Sequence, residues 1–214
     1  MPAWLVGRDV TRIPTKRKVV ALTFDGGGNA AGVARVLATL EANGIHGTFF
    51  LTGRFASMFP RKARAIVHQG HVLGNHTYSH PNALSISDAA LRSQVLRAQK
   101  AIVAATGVSP RPFFRFPYGA RAQRDIATVN AAGYGAVSWT VDAAGWLGTS
   151  GGMSVSKVRA RVLKALRPGA IVLMHLGSNP QDRSTLDADA LPGLIATMKA
   201  RGYTFVTLAQ VQAR

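Results

Sequence analysis

Residues 19–28 read VVALTFDGGG. Six apolar or β-branched residues lead to Asp25, and three glycines follow. The first six have no polar position alternating with apolar ones, so they read as a strand buried on both faces. The glycines do not make a phosphate-binding loop. Dinucleotide and P-loop fingerprints space their glycines differently, and the second requires a Lys–Ser/Thr pair. Asp25 is then either a chemical group presented at a strand end or an incidental acid in a glycine-rich turn. Which reading holds depends on what the rest of the chain brings to the same place.

Outward from this strand, apolar runs alternate with helical patterns. Strands are expected at 48–53, 71–76, 113–118, 134–142, 170–175 and 204–208. Helices are expected at 30–44, closed by Gly44, at 60–70, opened by Pro60 and closed by Gly70, and at 87–107, with Ser87 as N-cap. Further helices are expected at 121–133, 154–169 and 187–202, the last interrupted or started near Pro192. About seven β/α units in one direction imply parallel strands joined by helical crossovers. An open doubly wound sheet and a closed or partly closed β/α barrel both satisfy this pattern, and no dinucleotide fingerprint favours the first. No linker or composition shift divides the 214 residues, so a single domain is expected over 1–214.

Composition narrows the class. A hydrophobic fraction of 47% with 16% charged residues describes a globular chain, not a disordered one. No apolar stretch is long enough to span a bilayer. The start, MPAWLVGRDVTRIPTKRK, lacks the apolar core and small-residue cleavage site of a signal peptide. The absence of cysteine excludes disulfides and thiolate metal sites. The net charge of +17, from 26 Lys+Arg against 9 Asp+Glu, favours anionic partners. The basic residues are scattered and carry no nucleic-acid motif, so no specific nucleic-acid partner is expected.

The polar groups that could carry chemistry follow the strands. Asp25 ends the first, and His76 and His80 in HTYSH follow the third. Arg115 and Tyr118 in RFPYG close the fourth, Asp142 and Trp146 in DAAGW follow the fifth, and His175 in LMH ends the sixth. In parallel β/α folds the carboxyl ends of the strands share one face, so these residues converge. His-x-x-x-His sets two imidazoles one helical turn apart, where they can share a metal with a carboxylate. Each residue also has a structural reading. Tyr118 and Trp146 can be core aromatics, Asp142 a helix cap, and His175 a satisfied core histidine. Arg115, beside proline and aromatics, is expected to pair with a buried acid. His46, His68 and His71 are assigned to structure or surface, and Asp182, Asp187 and Asp189 to a loop and the start of the last helix.

Taken in order, TFDGGG, HTYSH, RFPYG, DAAGW and LMH resemble the motifs of the polysaccharide deacetylase family, the NodB-homology domain of carbohydrate esterase family 4. The resemblance covers about residues 19–211. It implies a distorted parallel β/α barrel of about seven strands and metal-assisted hydrolysis of acetyl groups on a polymeric amino sugar, peptidoglycan or chitin-like, or, in some members, on xylan. Residue by residue it implies Asp25 as general base, Arg115 as its tether and His175 as general acid. Asp142 would orient that acid, Tyr118 would offer a backbone N–H to the oxyanion, Trp146 would wall the substrate, and His76 and His80 would hold the metal. It further implies an acetylated polysaccharide as partner; the basic surface fits an anionic cell-wall polymer, and a secreted or wall-associated location and a monomer are expected.

Two positions depart from the family pattern. The second Asp of the first motif, a metal ligand, is Gly26, and the residue after the catalytic histidine, often Asp, is Leu176. A divalent metal, Zn²⁺ with Co²⁺ as second choice, is therefore expected to be weakly held. Three outcomes are open: a metal on the two histidines and water, a metal also taken by Asp25, or a metal-free site. The alternative function is a non-catalytic or weakly active carbohydrate- or wall-binding module on the same scaffold.

Overall fold

The computed structural model describes residues 1–211. Its strands are β1 (Asp9–Val10), β2 (Val19–Gly26), β3 (Thr48–Leu51), β4 (Val72–Asn75), β5 (Phe113–Phe114), β6 (Gly135–Val137), β7 (Val141–Asp142), β8 (Ala170–His175) and β9 (Thr204–Phe205). Its helices are α1 (Val33–Ala42), α2 (Gly53–Met58), α3 (Pro60–His68), α4 (Asp88–Thr106), α5 (Gln123–Ala131), α6 (Val155–Ala165) and α7 (Leu186–Ala200). The strands form one sheet in the order β1-β6-β5-β4-β3-β2-β8-β7, with β9 on β2, and every ladder is parallel. The sheet curls into an incomplete barrel. The chain after β1 reaches the far side through an antiparallel bridge between Arg12 and Ala170, through Ile13 N–H to the Gly169 carbonyl at 2.8 Å, and through Thr140 Oγ1 donating to the Thr11 carbonyl at 2.7 Å.

The seven expected strands become nine for two reasons. The stretch 134–142 changes neighbour midway: β6 pairs with β1 and β5, whereas β7 pairs with β8, so the ladder breaks at Ser138–Thr140. The two-residue β1 is too short to show a period. Helix α2 carries no helical period in the sequence either. It is one and a half turns long, capped by Thr52 Oγ1 accepting from Phe55 N–H at 3.0 Å. Ser87 caps α4 as expected, accepting from Ala90 N–H, and Gly107 ends that helix at φ 76°. Helix α7 begins at Leu186 and runs through Pro192, at the cost of one intrahelical hydrogen bond.

Strand β2 is buried along its whole length, and its alternation sorts the two cores. Val20, Leu22 and Phe24 face the helices, where Phe24 stacks on Phe49 at 4.9 Å. Ala21 faces the barrel interior with Phe50, Phe113, Val137 and Ile171. Two residues at a time, this parity carries Asp25 to the interior and Gly26 to the helix side. In β8 the same count sends His175 inward with Ile171, and Leu176 outward with Val172 and Met174. The register sets Asp25 directly across from His175 on the neighbouring strand.

Candidate active site

Asp25 is buried at the carboxyl end of β2. Its Oδ1 accepts from Arg115 Nη1 at 2.7 Å. Arg115 is itself fully buried, its guanidinium 4.0 Å from the Phe50 ring centroid. Its other donors reach the Val137 carbonyl (Nε, 3.1 Å) and the Ser138 carbonyl (Nη2, 3.0 Å). The fork is thus locked in one orientation by two backbone acceptors and delivers its remaining arm to the carboxylate. Burial alone would raise the Asp25 pKa. The charges of Arg115, His76 and His175 outweigh it and hold the carboxyl below its usual value.

His76 follows β4, with Nδ1 2.8 Å from the Arg115 carbonyl. A carbonyl only accepts, so Nδ1 carries the proton and Nε2 presents its lone pair. That lone pair faces Asp25 Oδ2 at 3.4 Å. Burial lowers the His76 pKa in spite of Asp25, so the contact opposes two acceptors and is not an ion pair. His80 lies edge-on to His76, ring centroids 4.7 Å apart, and burial with His76 beside it pulls its pKa down to about 4. The sequence expectation of a helical turn between them is corrected. Residues 76–80 form an irregular loop with Thr77 and His80 both at φ 64°. Asn75 Oδ1 accepts from Thr77 N–H and Thr77 Oγ1 from His80 N–H, replacing helical hydrogen bonds. The positive φ values turn the two rings together.

His175 ends β8, and its Nδ1 lies 3.2 Å from Asp187 Oδ2. The same oxygen accepts from His175 N–H at 2.8 Å, while Asp187 Oδ1 accepts from Gly145 N–H at 3.1 Å. Burial pulls the His175 pKa down, but the hydrogen bond and charge of Asp187, followed by Asp25 and Asp142, more than reverse this and raise it. The acid in contact with His175 is thus Asp187, where the sequence reading expected Asp142. Asp142 accepts from Ala144 N–H (2.8 Å) and Trp146 Nε1 (3.1 Å), a turn that fixes the indole. Asp187 sits in the first turn of α7, where a carboxylate is favoured by the helix dipole, and this location masks its second use.

Trp146 and Tyr118 are not core aromatics. They are 49% and 70% exposed and stand at the rim, Trp146 6.3 Å from the His175 ring and Tyr118 4.6 Å from His80. A cavity of about 620 Å³ opens here, lined by Asp25, His80, Trp146 and His175. Gly27 and Gly28 leave its mouth open, and Arg54 and Met58 from α2, neither singled out in the sequence, complete the wall. The structure therefore gathers Asp25, His76, His80, Arg115, Tyr118, Trp146 and His175 at one end of the barrel. His46, His68 and His71 lie elsewhere, around a smaller cavity.

The two neutral imidazoles and the facing edge of Asp25 are a donor set that fits a divalent cation, because acceptors opposed at 3.4 Å in a buried site call for one. The set is incomplete: no group of three His, Cys, Asp or Glu suited to a metal occurs among the described residues. Gly26 has ordinary strand geometry, and a Cβ there would lie 2.8 Å from Leu51 Cδ2, 3.2 Å from Leu176 Cδ1 and 3.3 Å from Phe55 Cδ2. Apolar side chains occupy the space an acidic ligand would need.

Comparisons with known proteins place this geometry. The family described as Polysaccharide deacetylase matches residues 12–137. A peptidoglycan-N-acetylglucosamine deacetylase of Bacillus cereus is 33% identical over 195 residues, spanning 91% of this chain and 68% of that protein. A chitooligosaccharide deacetylase of Bradyrhizobium sp. is 35% identical over 219 residues, spanning 99% of this chain and 98% of that one. The crystal structure of a CE4 family pseudoenzyme from Bacillus anthracis matches with a TM-score of 0.87 at 28% identity, covering 97% of this chain and 69% of that chain. A mutant of the pseudoenzyme with restored enzymatic activity matches with the same TM-score of 0.87, at 29% identity over 97% of this chain and 72% of that one.

Proposed function

The chain belongs to the polysaccharide deacetylase family, and from that premise we propose that it hydrolyses N-acetyl groups on a polymeric amino sugar. The observation that carries this reading is the pairing of Asp25 and His175, directly opposite on adjacent strands and facing one cavity. Their environments push them apart: Arg115 keeps Asp25 ionised, and Asp187 keeps His175 protonated to higher pH. An ionised carboxylate and a protonated imidazole in one cleft are a general base and a general acid.

In the proposed mechanism Asp25 removes a proton from water as it attacks the acetyl carbonyl. The carbonyl oxygen gains negative charge and accepts from the Tyr118 N–H, which has no acceptor among the described residues. His175 donates the Nε2 proton to the departing amine nitrogen, while Asp187 at Nδ1 stabilises the imidazolium beforehand. Trp146 and Tyr118 offer flat faces to sugar rings at the rim. His76 and His80 would hold a divalent metal, Zn²⁺ or Co²⁺, which when bound would polarise the carbonyl. With two strong protein ligands it would be lost readily. The +17 charge favours an anionic wall polymer such as peptidoglycan over neutral chitin, and with it a secreted or wall-associated setting.

The test is acetate release from peptidoglycan and acetylated chito-oligomers, with and without Zn²⁺ or Co²⁺. The expected result is turnover that falls roughly 10²–10⁴-fold in Asp25→Asn and His175→Ala. Release that survives both substitutions overturns the assignment. A second reading, a wall-binding module with little or no activity, is favoured by the apolar packing against Gly26. Saturable wall binding without acetate release under any metal would establish it instead.

A further inference from the structure

The family match begins at residue 12, yet a carboxylate upstream of it reaches the site. Asp9 in β1 is almost wholly buried as a side chain and receives Ser138 Oγ and the Arg121 guanidinium on Oδ2. Both partners continue toward the cavity. The Ser138 carbonyl accepts from Arg115 Nη2, the arginine that holds Asp25. Arg121 Nη1 donates to the Gly119 carbonyl, inside the turn that contains Tyr118.

That turn needs an external hold. Tyr118 and Gly119 are successive residues at φ 58° and 65°, and the first of these is unfavourable for a side chain with a Cβ. The turn's own hydrogen bonds are two, Gly119 N–H to the Phe116 carbonyl and Ala120 N–H to the Pro117 carbonyl, each at 3.1 Å. The Tyr118 ring is mostly solvent-exposed and is held at one edge, against His80. Arg121 is the side chain that grips the turn's backbone from outside, and it is itself held by Asp9.

We propose that Asp9 is a positioning residue: through Arg121 it fixes the Pro117–Gly119 turn and so aims the Tyr118 N–H at the reacting carbonyl. The inference rests on the deacetylase reading above for its catalytic consequence, but the structural link stands on the hydrogen bonds alone. An N–H that bonds a developing oxyanion acts mainly in the transition state, so its misplacement lowers kcat and leaves KM nearly unchanged.

The experiment compares Asp9→Ala, Asp9→Asn, Arg121→Ala and the Asp9→Ala/Arg121→Ala double variant. Asp9→Ala and Arg121→Ala are each expected to lower kcat about 10- to 100-fold, the scale of an ångström-level misplacement, with KM within about twofold. The double variant should be no worse than either single one, because both break one chain of contacts. Asp9→Asn, which keeps an acceptor without the charge, should fall between. Amide hydrogen exchange supplies a readout independent of turnover: Asp9→Ala and Arg121→Ala should speed exchange in residues 117–120 and leave β2 and β8 protected. Unchanged exchange in that segment, or additive kcat losses, overturns the proposal. Should Asp9→Ala not fold, the partly exposed Arg121→Ala carries the same test. If the wild type releases no acetate, the deacetylase reading fails while the exchange result still decides the positioning role.

Discussion

Gly26→Asp inserts the missing acid of the first motif, and the structure sets a cost on it. The new Cβ meets Leu51 Cδ2 at 2.8 Å, closer than real contacts allow, with Leu176 and Phe55 behind it at 3.2 and 3.3 Å. All three side chains are fully buried in the helix-side core, so the strain must be absorbed by repacking. Overpacking of this kind costs about 1–3 kcal/mol. A carboxylate left without donors among leucines and a phenylalanine adds about 1–3 kcal/mol. At roughly 2–4 °C per kcal/mol for a domain of this size, the Tm should fall by about 4–24 °C in metal-free buffer. Leu176→Ala in the same chain removes one of the opposing side chains and should recover part of the loss. Zinc should then raise the Tm of the Gly26→Asp/Leu176→Ala double variant more than that of the wild type, since the carboxylate gains room to turn toward the strand end. At 100 times Kd the gain is about 2.7 kcal/mol. The assay is thermal unfolding by circular dichroism with chelator or zinc. A metal-free Gly26→Asp that melts with the wild type would refute the packing argument.

Asp187→Asn removes the hydrogen bond and charge that raise His175, so the alkaline limb of the kcat–pH profile should move to lower pH; a limb that stays in place removes Asp187 from the acid's control. The same pair stabilises the fold fully below pH 6.5, the unfolded value, and less as pH rises through the folded one, so the wild-type stability advantage over Asp187→Asn should shrink toward alkaline pH. Arg115→Met leaves Asp25 buried without its cation and should cost about 3–5 kcal/mol in denaturant unfolding while moving the acid limb upward; a loss under 1 kcal/mol would mean the pair does not hold the base. Gly148→Ala, at φ 70° with a Cβ 2.5 Å from Asp182 Oδ2, should displace the Trp146 loop and raise KM with kcat less affected, as read in steady-state kinetics on oligomers.

The sequence exposes what local pattern controls. Buried strands such as 19–24 and 170–175 show as unbroken apolar runs. In a parallel fold their ends share a face, so the pattern alone brings Asp25 and His175 together. Arg115 is legible because an arginine among Phe and Pro must find an acid. What stays hidden is set by tertiary partners. Asp187 has the look of a dipole-favouring acid at a helix start, and only the docking of α7 beside β8 puts its carboxylate on the histidine. The resemblance points to Asp142 by position, but its oxygens are taken by its own turn. The loop geometry of HTYSH is hidden too, because spacing alone cannot distinguish a helical turn from positive-φ residues that bring the same rings together.

The two departures from the family pattern, separate along the sequence, are one packing event. Gly26 and Leu176 follow Asp25 and His175 on paired strands and share the helix-side parity. The ideal Cβ of residue 26 would lie 3.2 Å from Leu176 Cδ1, so the small residue at one position makes room for the large apolar one at the other. Cores tolerate exchanges that conserve volume, and a lone change at either position would leave a cavity or a clash. The exchange turns a polar strand end into core on one parity only. On the opposite parity Asp25, Arg115 and His175 keep their hydrogen bonds, since alternate residues of a strand face different layers. An acid at position 26 can therefore be absent without disturbing the contacts of Asp25 and His175, and placing one there calls for a smaller residue at 176 as well.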